Sequence, residues 1–131
     1  MILITGIPNA GKTTYSKRFD NVIHFDEVKG RDRRNKVVSA VVDNNNICVE
    51  GVYGTPKERI PLIQASDTYN VCIWLDTSVE ECVYREVHGR NRSERLVQWA
   101  YEEYIPPTLD EGWDEIRIIK DGKETDIIRK T

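Results

Sequence analysis

Short apolar runs alternate along the chain with segments in which apolar residues recur every three or four positions. Runs of the first kind are typical of strands buried on both faces, and segments of the second kind are typical of amphipathic helices. Five strands are predicted, at residues 1–5, 22–26, 47–50, 69–75 and 116–119. Helices are predicted between them. This alternation favours a three-layer α/β/α arrangement with a mostly parallel five-stranded sheet.

Several residues mark where the predicted helices begin, bend or end. Thr55 is a capping residue followed by a proline, which favours a helix that begins there. Pro61 is expected to kink or split that helix, because a proline removes one of its backbone hydrogen bonds. Thr77 or Ser78 caps the next helix, and Gly89 interrupts it. In a fold of this class, ligands bind outside the carboxyl ends of the strands.

Length and composition favour a single domain that spans residues 1–131. Residues 121–131 form a polar tail that we expect to be partly flexible. No apolar run is long enough to span a membrane and no secretory signal precedes the first strand, so no membrane partner is expected. The cysteines Cys48, Cys72 and Cys82 lie far apart in apolar surroundings, which indicates reduced thiols in a cytoplasmic protein.

The net charge of −3 excludes a global basic footprint for nucleic acid. Positive charges are nevertheless clustered in two segments, at residues 29–36 and 85–95. A protein that binds phosphates needs local positive charge of this kind, whatever its substrate is. The two clusters therefore support phosphate chemistry more than any one substrate.

The first predicted strand is followed directly by a glycine-rich segment, from Gly6 to Thr13, that reads GIPNAGKT. This is the G-x-x-x-x-G-K-T signature of a P-loop, whose backbone N–H groups surround the phosphates of a nucleotide. Its glycines allow the tight turn and the close approach of the backbone to phosphate. Together with the alternating elements, the signature predicts the P-loop NTPase fold. The residues expected to bind the nucleotide are Gly6, Pro8, Asn9, Ala10, Gly11, Lys12, Thr13 and Thr14.

Two residues of this loop carry specific chemistry. Lys12 reaches the β- and γ-phosphates and supplies charge to the phosphoryl group in transfer, so we assign it a catalytic role. Thr13 presents the hydroxyl that is expected to ligate Mg²⁺. The pattern therefore predicts a protein that binds ATP or GTP together with Mg²⁺.

Two acidic residues stand at the ends of predicted strands. Asp26 ends the second strand, where a carboxylate can act as general base and accept the proton of an incoming hydroxyl. A helix cap or a loop-bridging carboxylate is the alternative for this residue. Glu50 ends the third strand, in the place of a Walker B acid that holds Mg²⁺. The alternative for Glu50 is a glutamate that anchors a loop.

Basic residues in the two charged segments are candidates for binding phosphate. Arg85, Arg90 and Arg92 surround the predicted helix break, and arginines on such a flap can close over the β- and γ-phosphates. Arg90 is our first choice as a catalytic arginine, and a solvated helix face is the alternative. Lys29 follows Asp26 by three residues. It is a candidate for holding an acceptor phosphate, with one more solvated lysine as the alternative.

Taken together, these segments resemble the small P-loop kinases related to the polynucleotide 5′-hydroxyl kinase domain and the zeta-toxin group. The resemblance rests on residues 6–14 (GIPNAGKTT), 26–29 (DEVK), 81–85 (ECVYR) and 104–116 (YIPPTLDEGWDEI). It covers nearly the whole chain. The P-loop part is shared by many families, and the C-terminal part is more specific.

The resemblance implies roles for individual residues of this chain. Asp26 matches the general base, Lys29 matches a residue that contacts the acceptor nucleotide, and Arg85 and Arg90 match arginines that contact the ATP phosphates. The chain departs from the pattern after the third strand, where Glu50 opens the sequence EGVY in place of an Asp-rich motif. The two lid arginines are also five residues apart, and the family pattern has four.

We therefore expect an ATP-dependent, Mg²⁺-requiring phosphotransferase. The first choice of acceptor is the 5′-hydroxyl of DNA or RNA. Two alternatives stay open: a small-molecule or nucleotide kinase, and an ATP-binding regulatory module that transfers no phosphate.

Overall fold

A computed structural model describes all residues from 1 to 131. The strands are β1 (Ile2–Thr5), β2 (Val22–His24), β3 (Cys48–Glu50), β4 (Val71–Leu75), β5 (Glu115–Lys120) and β6 (Lys123–Arg129). The α-helices are α1 (Lys12–Ser16), α2 (Arg33–Asp43), α3 (Pro56–Ala65), α4 (Val79–Arg85) and α5 (Glu94–Glu103). Two 3₁₀ turns and one π-helical turn complete the chain, at Phe25–Glu27, Leu109–Glu111 and Glu86–Arg90.

All strands belong to one sheet with the order β2-β3-β1-β4-β5-β6. The first five strands pair in parallel, and β6 pairs antiparallel with β5. The predicted α/β fold with a mostly parallel sheet is confirmed. The predicted count of five strands is wrong, since the sheet has six. Because β1 is central, the loop that follows it lies between the carboxyl ends of β3 and β4.

The sixth strand is formed by the segment predicted as a polar, partly flexible tail. Asp121 and Gly122 make the turn after β5, both with positive φ angles, of 53° and 76°. Ile128 then pairs with Ile116, and Ile127 pairs with Arg117. An antiparallel edge strand needs no apolar face as continuous as that of a central parallel strand. The polar composition therefore concealed this strand.

The sheet separates two apolar layers, which gives the three-layer arrangement. On one side, residues of α2 and α3 cover the sheet; their buried side chains include Val37, Val41 and Leu62, which pack with Leu3 and Val49. On the other side, α4 and α5 supply Cys82 and Val97, which pack with Ile4, Ile73 and Leu75. Successive residues of β1, such as Leu3 and Ile4, thus face opposite layers, as expected for a strand covered on both sides.

The predicted helix boundaries are confirmed at two caps. The Thr55 hydroxyl accepts a hydrogen bond from the Glu58 amide at 3.4 Å, and the Ser78 hydroxyl accepts one from the Glu81 amide at 3.2 Å. The prediction for Pro61 is wrong in part, because α3 continues through it from Pro56 to Ala65. The packing of Leu62, which is 1% exposed, offsets the backbone hydrogen bond that the proline removes.

A buried ion pair joins α3 to the segment that precedes β5. The Arg59 guanidinium donates to both carboxylate oxygens of Glu111 at 2.8 Å, and both side chains are almost wholly buried. A third hydrogen bond from Arg59 reaches the carbonyl oxygen of Tyr53, in the loop after β3, at 2.8 Å. Trp113 donates its indole N–H to Glu111 at 3.1 Å. This network fixes the loop that continues from Glu50.

The three cysteines are free thiols and all are buried. Burial raises the pKa of Cys48 to about 12 and that of Cys82 to about 11, so these thiols stay protonated at neutral pH.

None of the helices has the length and apolar character that a membrane crossing would require.

Candidate active site

A cleft of about 840 Å³ lies along the carboxyl ends of the central strands. Its walls come from the P-loop, from the ends of β2 and β3, from the segment after α4, and from the β5–β6 turn. The predicted site residues that line it are Pro8, Asn9, Ala10, Gly11, Lys12, Thr13, Thr14, Asp26, Glu50, Arg85 and Arg90. Residues that were not predicted also line it, and they include Tyr15, Arg18, Thr77, Leu96, Asp121 and Gly122.

Glycine is required at both ends of the P-loop. A Cβ atom at Gly6 would lie 3.0 Å from the carbonyl oxygen of Leu75 and 3.1 Å from the Cβ of Ala10, so a side chain would push the loop off the sheet. Gly11 has a φ angle of 100°, in the left-handed region that favours glycine. Asn9 also adopts this region, with φ 70°. The loop therefore turns tightly enough to aim its N–H groups at one point.

Two side chains attach the P-loop to its surroundings: Thr77 from outside the loop, and Asn9 from within it. The hydroxyl of Thr77, just after β4, donates to the carbonyl oxygen of Ala10 at 2.8 Å. The side-chain amide of Asn9 donates to the carbonyl oxygen of Cys82 in α4 at 3.2 Å. The loop is thus attached both to the sheet and to the helix beside it.

Lys12 is held against its own loop. Its ammonium group donates to the carbonyl oxygens of Gly6 at 3.0 Å and Ile7 at 2.8 Å. Burial lowers the pKa of Lys12 to about 8, and the negative charges of Glu50 and Asp26 oppose that shift. The Lys12 ammonium is therefore held in a fixed place within the P-loop.

The side chains of Thr13, Glu50 and His24 form a chain of contacts. The Thr13 hydroxyl lies 3.4 Å from Oε1 of Glu50, and Nδ1 of His24 lies 2.7 Å from the same oxygen. The Glu50 side chain is only 8% exposed. A buried carboxylate next to a hydroxyl matches the hard oxygen ligands that Mg²⁺ prefers. No group of three or more His, Cys, Asp or Glu side chains forms a metal site by itself.

Asp26 lies in the 3₁₀ turn directly after β2, on the wall of the cleft. Its carboxylate is exposed and makes no hydrogen bond within the chain, so it is free to meet a ligand. Its charge also acts on Lys12, whose pKa it raises. The neighbouring Lys29 is exposed and does not line the cleft, although its carbonyl oxygen accepts a hydrogen bond from Lys36. The role of Lys29 with an acceptor remains a prediction.

The three arginines near the helix break all line the cleft, but they differ in their partners. Arg85 donates to the carbonyl oxygen of Asn9 at 2.8 Å and pairs with Glu81 at 3.2 Å. Arg92 pairs with Glu86 at 2.9 Å. Arg90 is exposed and has no hydrogen bond or ion pair within the chain. Its guanidinium is therefore the one most available to an anionic ligand.

Comparisons with known proteins identify the fold. No family model matches the chain, and no curated protein sequence matches it. Several solved structures match, and they cover most of this chain at low sequence identity. A gluconokinase from Sinorhizobium meliloti 1021 gives a TM-score of 0.69 at 14% identity, covering 91% of this chain and 81% of its own. The fold is that of the P-loop kinases.

Two further kinases support the same conclusion. The Mycobacterium tuberculosis APS kinase gives a TM-score of 0.59 at 13% identity, with 92% of this chain and 87% of its own chain covered. A shikimate kinase from Bacteroides thetaiotaomicron gives a TM-score of 0.54 at 15% identity, with 92% and 85% covered. At these identities the likeness shows the fold, and function must be argued from the site.

Two further residues, His24 and Glu86, make contacts at the site that the sequence did not predict. His24 reads as part of an apolar strand, and only the parallel register that sets His24 beside Glu50 reveals the contact. Glu86 reads as one more charge on a solvated helix, but its carboxylate is buried. Its position three residues before the glycine break was the only available signal.

Proposed function

We propose that this protein is a kinase that transfers the γ-phosphate of ATP to a hydroxyl group of a small molecule. The observation that carries the proposal is the meeting of Lys12, Thr13 and Glu50 with an unpartnered Asp26 in one cleft. Arg90 lines the same cleft and completes the set. Such a set supplies positioning and charge, which are the main requirements of phosphoryl transfer.

The chemistry assigns one task to each of these side chains. The acceptor oxygen forms a bond to the γ-phosphorus as the bond from that phosphorus to the β,γ-bridging oxygen breaks, which leaves ADP. Asp26 accepts the proton of the acceptor hydroxyl and later releases it to solvent. Lys12 and Arg90 neutralise the negative charge on the transferring group and on the leaving oxygen.

Thr13 and Glu50 are the residues that would hold Mg²⁺ together with the nucleotide phosphates. Bound there, the ion would neutralise charge on the β- and γ-phosphate oxygens. The contact with His24 keeps the Glu50 carboxylate in a fixed orientation for this role.

Features near Asp26 favour a small acceptor that carries a negative charge. The guanidinium groups of Arg33 and Arg34 lie 4.3 Å and 4.2 Å from the ring centre of Phe25, the residue before Asp26. Four buried side-chain atoms in the protein lack a hydrogen-bond partner, and three of them belong to this cluster: Arg33 Nε, Arg34 Nη1 and Tyr53 Oη. Each buried polar atom without a partner calls for an explanation, and a ligand that supplies the partner is one. Arg34 is already paired with Glu58, so a carboxylate or phosphate on the acceptor would bind at Arg33.

The comparisons favour the same class of acceptor. Gluconate and shikimate, the compounds named by two of the similar structures, are small carboxylates that bear hydroxyl groups. The 5′-hydroxyl of a polynucleotide is the second candidate. It is favoured by the likeness of residues 26–29 to the polynucleotide kinase pattern.

The test is transfer of label from γ-labelled ATP in the presence of Mg²⁺. Acceptors are offered as matched pairs: sugar acids with the neutral sugars, nucleotides with nucleosides, and an oligonucleotide with and without its 5′-hydroxyl. Wild type, Asp26→Asn and Asp43→Asn are compared, because Asp43 is an exposed carboxylate at the end of α2, away from the cleft.

Label on an anionic small molecule, lost in Asp26→Asn and kept in Asp43→Asn, supports the proposal. Label on the oligonucleotide alone would replace the proposed small-molecule kinase with a polynucleotide 5′-hydroxyl kinase. If ATP binds and no acceptor is labelled, the protein is a nucleotide-binding regulatory module and the kinase assignment is abandoned.

A further inference from the structure

Glu86 connects the P-loop to the segment that carries the lid arginines. It lies in the π-helical turn that continues α4, and none of its surface is exposed. One carboxylate oxygen accepts a hydrogen bond from the side-chain amide of Asn9, in the P-loop, at 2.9 Å. The same oxygen accepts from Nη2 of Arg92 at 2.9 Å. A single buried oxygen thus bridges the two walls of the cleft.

The second carboxylate oxygen and the backbone carbonyl of Glu86 bind residues 91–93. Oε2 accepts hydrogen bonds from the backbone amides of Arg92 at 2.5 Å and Ser93 at 3.3 Å. The carbonyl oxygen of Glu86 accepts from the Asn91 amide at 2.5 Å, which closes the π-helical turn. Residues 91–93, directly after Arg90, are therefore anchored to Glu86, Asn91 through the carbonyl oxygen and Arg92 and Ser93 through the carboxylate. Turns of this kind inside helices are often found at functional sites.

The charges around Glu86 leave one arginine for the ligand. Arg92 is neutralised by Glu86, and Arg85 is shared between Glu81 and the P-loop backbone. Arg90 stands between Glu86 and the anchored residues 91–93, with no partner of its own. Arg90 and Lys12 line the same cleft, and the charge of Arg90 lowers the pKa of Lys12.

We propose that Glu86 is a positioning residue that holds Arg90 over the phosphate side of the cleft by tying residues 91–93 to Asn9 of the P-loop. The proposal rests on the proposed function for the identity of the ligand, Mg–ATP. It assigns Arg92 a structural role and leaves Arg90 as the arginine of this segment that neutralises the phosphates, beside Lys12.

The proposal makes Glu86 act through Arg90, and a double-mutant cycle on Mg–ATP binding tests this directly. Kd is measured by calorimetry for wild type, Glu86→Gln, Arg90→Ala and the double variant. Each single change is expected to weaken Mg–ATP binding by about tenfold, the size typical of one misplaced charge-assisted contact. The double variant is expected to bind no more weakly than Arg90→Ala, because the effect of Glu86 then has no other route.

Arg92→Gln is the second variant, because Arg92 is 41% exposed and a glutamine there can still donate a hydrogen bond to Glu86. It is expected to reproduce the effect of Glu86→Gln. Glu80→Gln serves as the matched control, since Glu80 is an exposed glutamate in the same helix. Amide hydrogen exchange of the free protein is measured in parallel, and it should be faster at Asn91, Arg92 and Ser93 in Glu86→Gln than in Glu80→Gln.

Multiplicative effects of Glu86→Gln and Arg90→Ala on Kd would overturn the proposal, because Glu86 would then act on the P-loop and not on Arg90. Unchanged Mg–ATP binding by Glu86→Gln, with or without faster exchange, would overturn it as well. If wild type binds Mg–ATP yet phosphorylates no acceptor, the kinase assignment fails and a non-additive cycle still supports the role of Glu86. If wild type binds no Mg–ATP, both proposals are overturned.

Discussion

Nδ1 of His24 lies 2.7 Å from Oε1 of Glu50, the oxygen that the Thr13 hydroxyl also approaches. The contact exists because β2 and β3 pair in parallel with His24 opposite Glu50. Loss of a side chain that orients a metal-binding carboxylate typically costs about 10- to 100-fold in metal affinity. Glu50, the proposed Walker B acid, is therefore supported from the neighbouring strand.

Replacement of Glu50 should appear first in the metal dependence. We expect Glu50→Gln to raise the Mg²⁺ concentration for half-maximal phosphate transfer by about 10- to 100-fold, because the neutral amide is a poorer ligand. Titration of activity with Mg²⁺ at saturating ATP measures this. Glu103→Gln, at the exposed end of α5, is the control. An unchanged Mg²⁺ dependence in Glu50→Gln would assign Glu50 to loop anchoring.

The arginines beside Phe25 should matter for the acceptor and not for ATP. We expect Arg33→Gln to raise the KM for an anionic acceptor by about 10- to 100-fold, the loss of one hydrogen bond to a charged group. The Kd for Mg–ATP should stay within about twofold of wild type, because Arg33 lies outside the P-loop. Arg31→Gln, an exposed change in the same basic segment, is the matched control. Equal losses on an anionic acceptor and its neutral analogue would contradict this role.

The carboxylate of Glu86 should make the protein sensitive to acid. Hydrogen bonds from Arg92 and Asn9 lower its pKa from the ordinary 4.5 to about 2. The Glu86 carboxylate therefore binds a proton more tightly in the unfolded chain than in the folded protein. Its contribution to the free energy of unfolding is complete above pH 4.5 and is lost as the pH falls towards 2. Urea unfolding at a series of pH values should show wild type losing stability faster across this window than Glu86→Gln. A difference between the two proteins that is constant with pH would contradict the lowered pKa.

The buried pair of Arg59 and Glu111 should be costly to break from one side. We expect Arg59→Met to lower the free energy of unfolding by about 3–5 kcal/mol, because it leaves the Glu111 carboxylate buried without its partner. The double change Arg59→Met with Glu111→Gln should cost less than the sum of the single changes. Lys120→Met, at a mostly exposed ion pair with Asp76, should cost below about 1 kcal/mol. Chemical denaturation measures all four, and equal losses in Arg59→Met and Lys120→Met would disprove the argument.

The fold could be predicted because its strongest signals are local. The P-loop signature fixes a strand before it and a helix after it, and the apolar runs mark each parallel strand. The strand β6 could not be found in this way, because an edge strand such as Lys123–Arg129 keeps most of its side chains in water. Its pairing with β5 follows from the turn at Asp121 and Gly122 and not from its own composition.

The residues of the candidate site likewise fall into those with a local sequence signal and those without one. Lys12, Thr13, Asp26 and Glu50 could be proposed from the sequence because each stands at a fixed place relative to a strand end. Glu86 could not, since its burial depends on Arg92 folding back over it and on Asn9 reaching it from a loop far away in the sequence. Long-range hydrogen bonds of this kind leave no periodic trace in the sequence.

The last strand also bears on how the protein behaves at high concentration. Without β6, the backbone of β5 would be an open edge flanked by Ile116, Ile118 and Ile119, and such edges recruit strands from other molecules. β6 covers that edge by pairing with β5. The strand at the edge is then β6, which carries the charges of Lys123, Glu124 and Asp126. Charged and polar edge strands discourage two sheets from joining. We therefore expect the segment to limit self-association through this edge of the sheet.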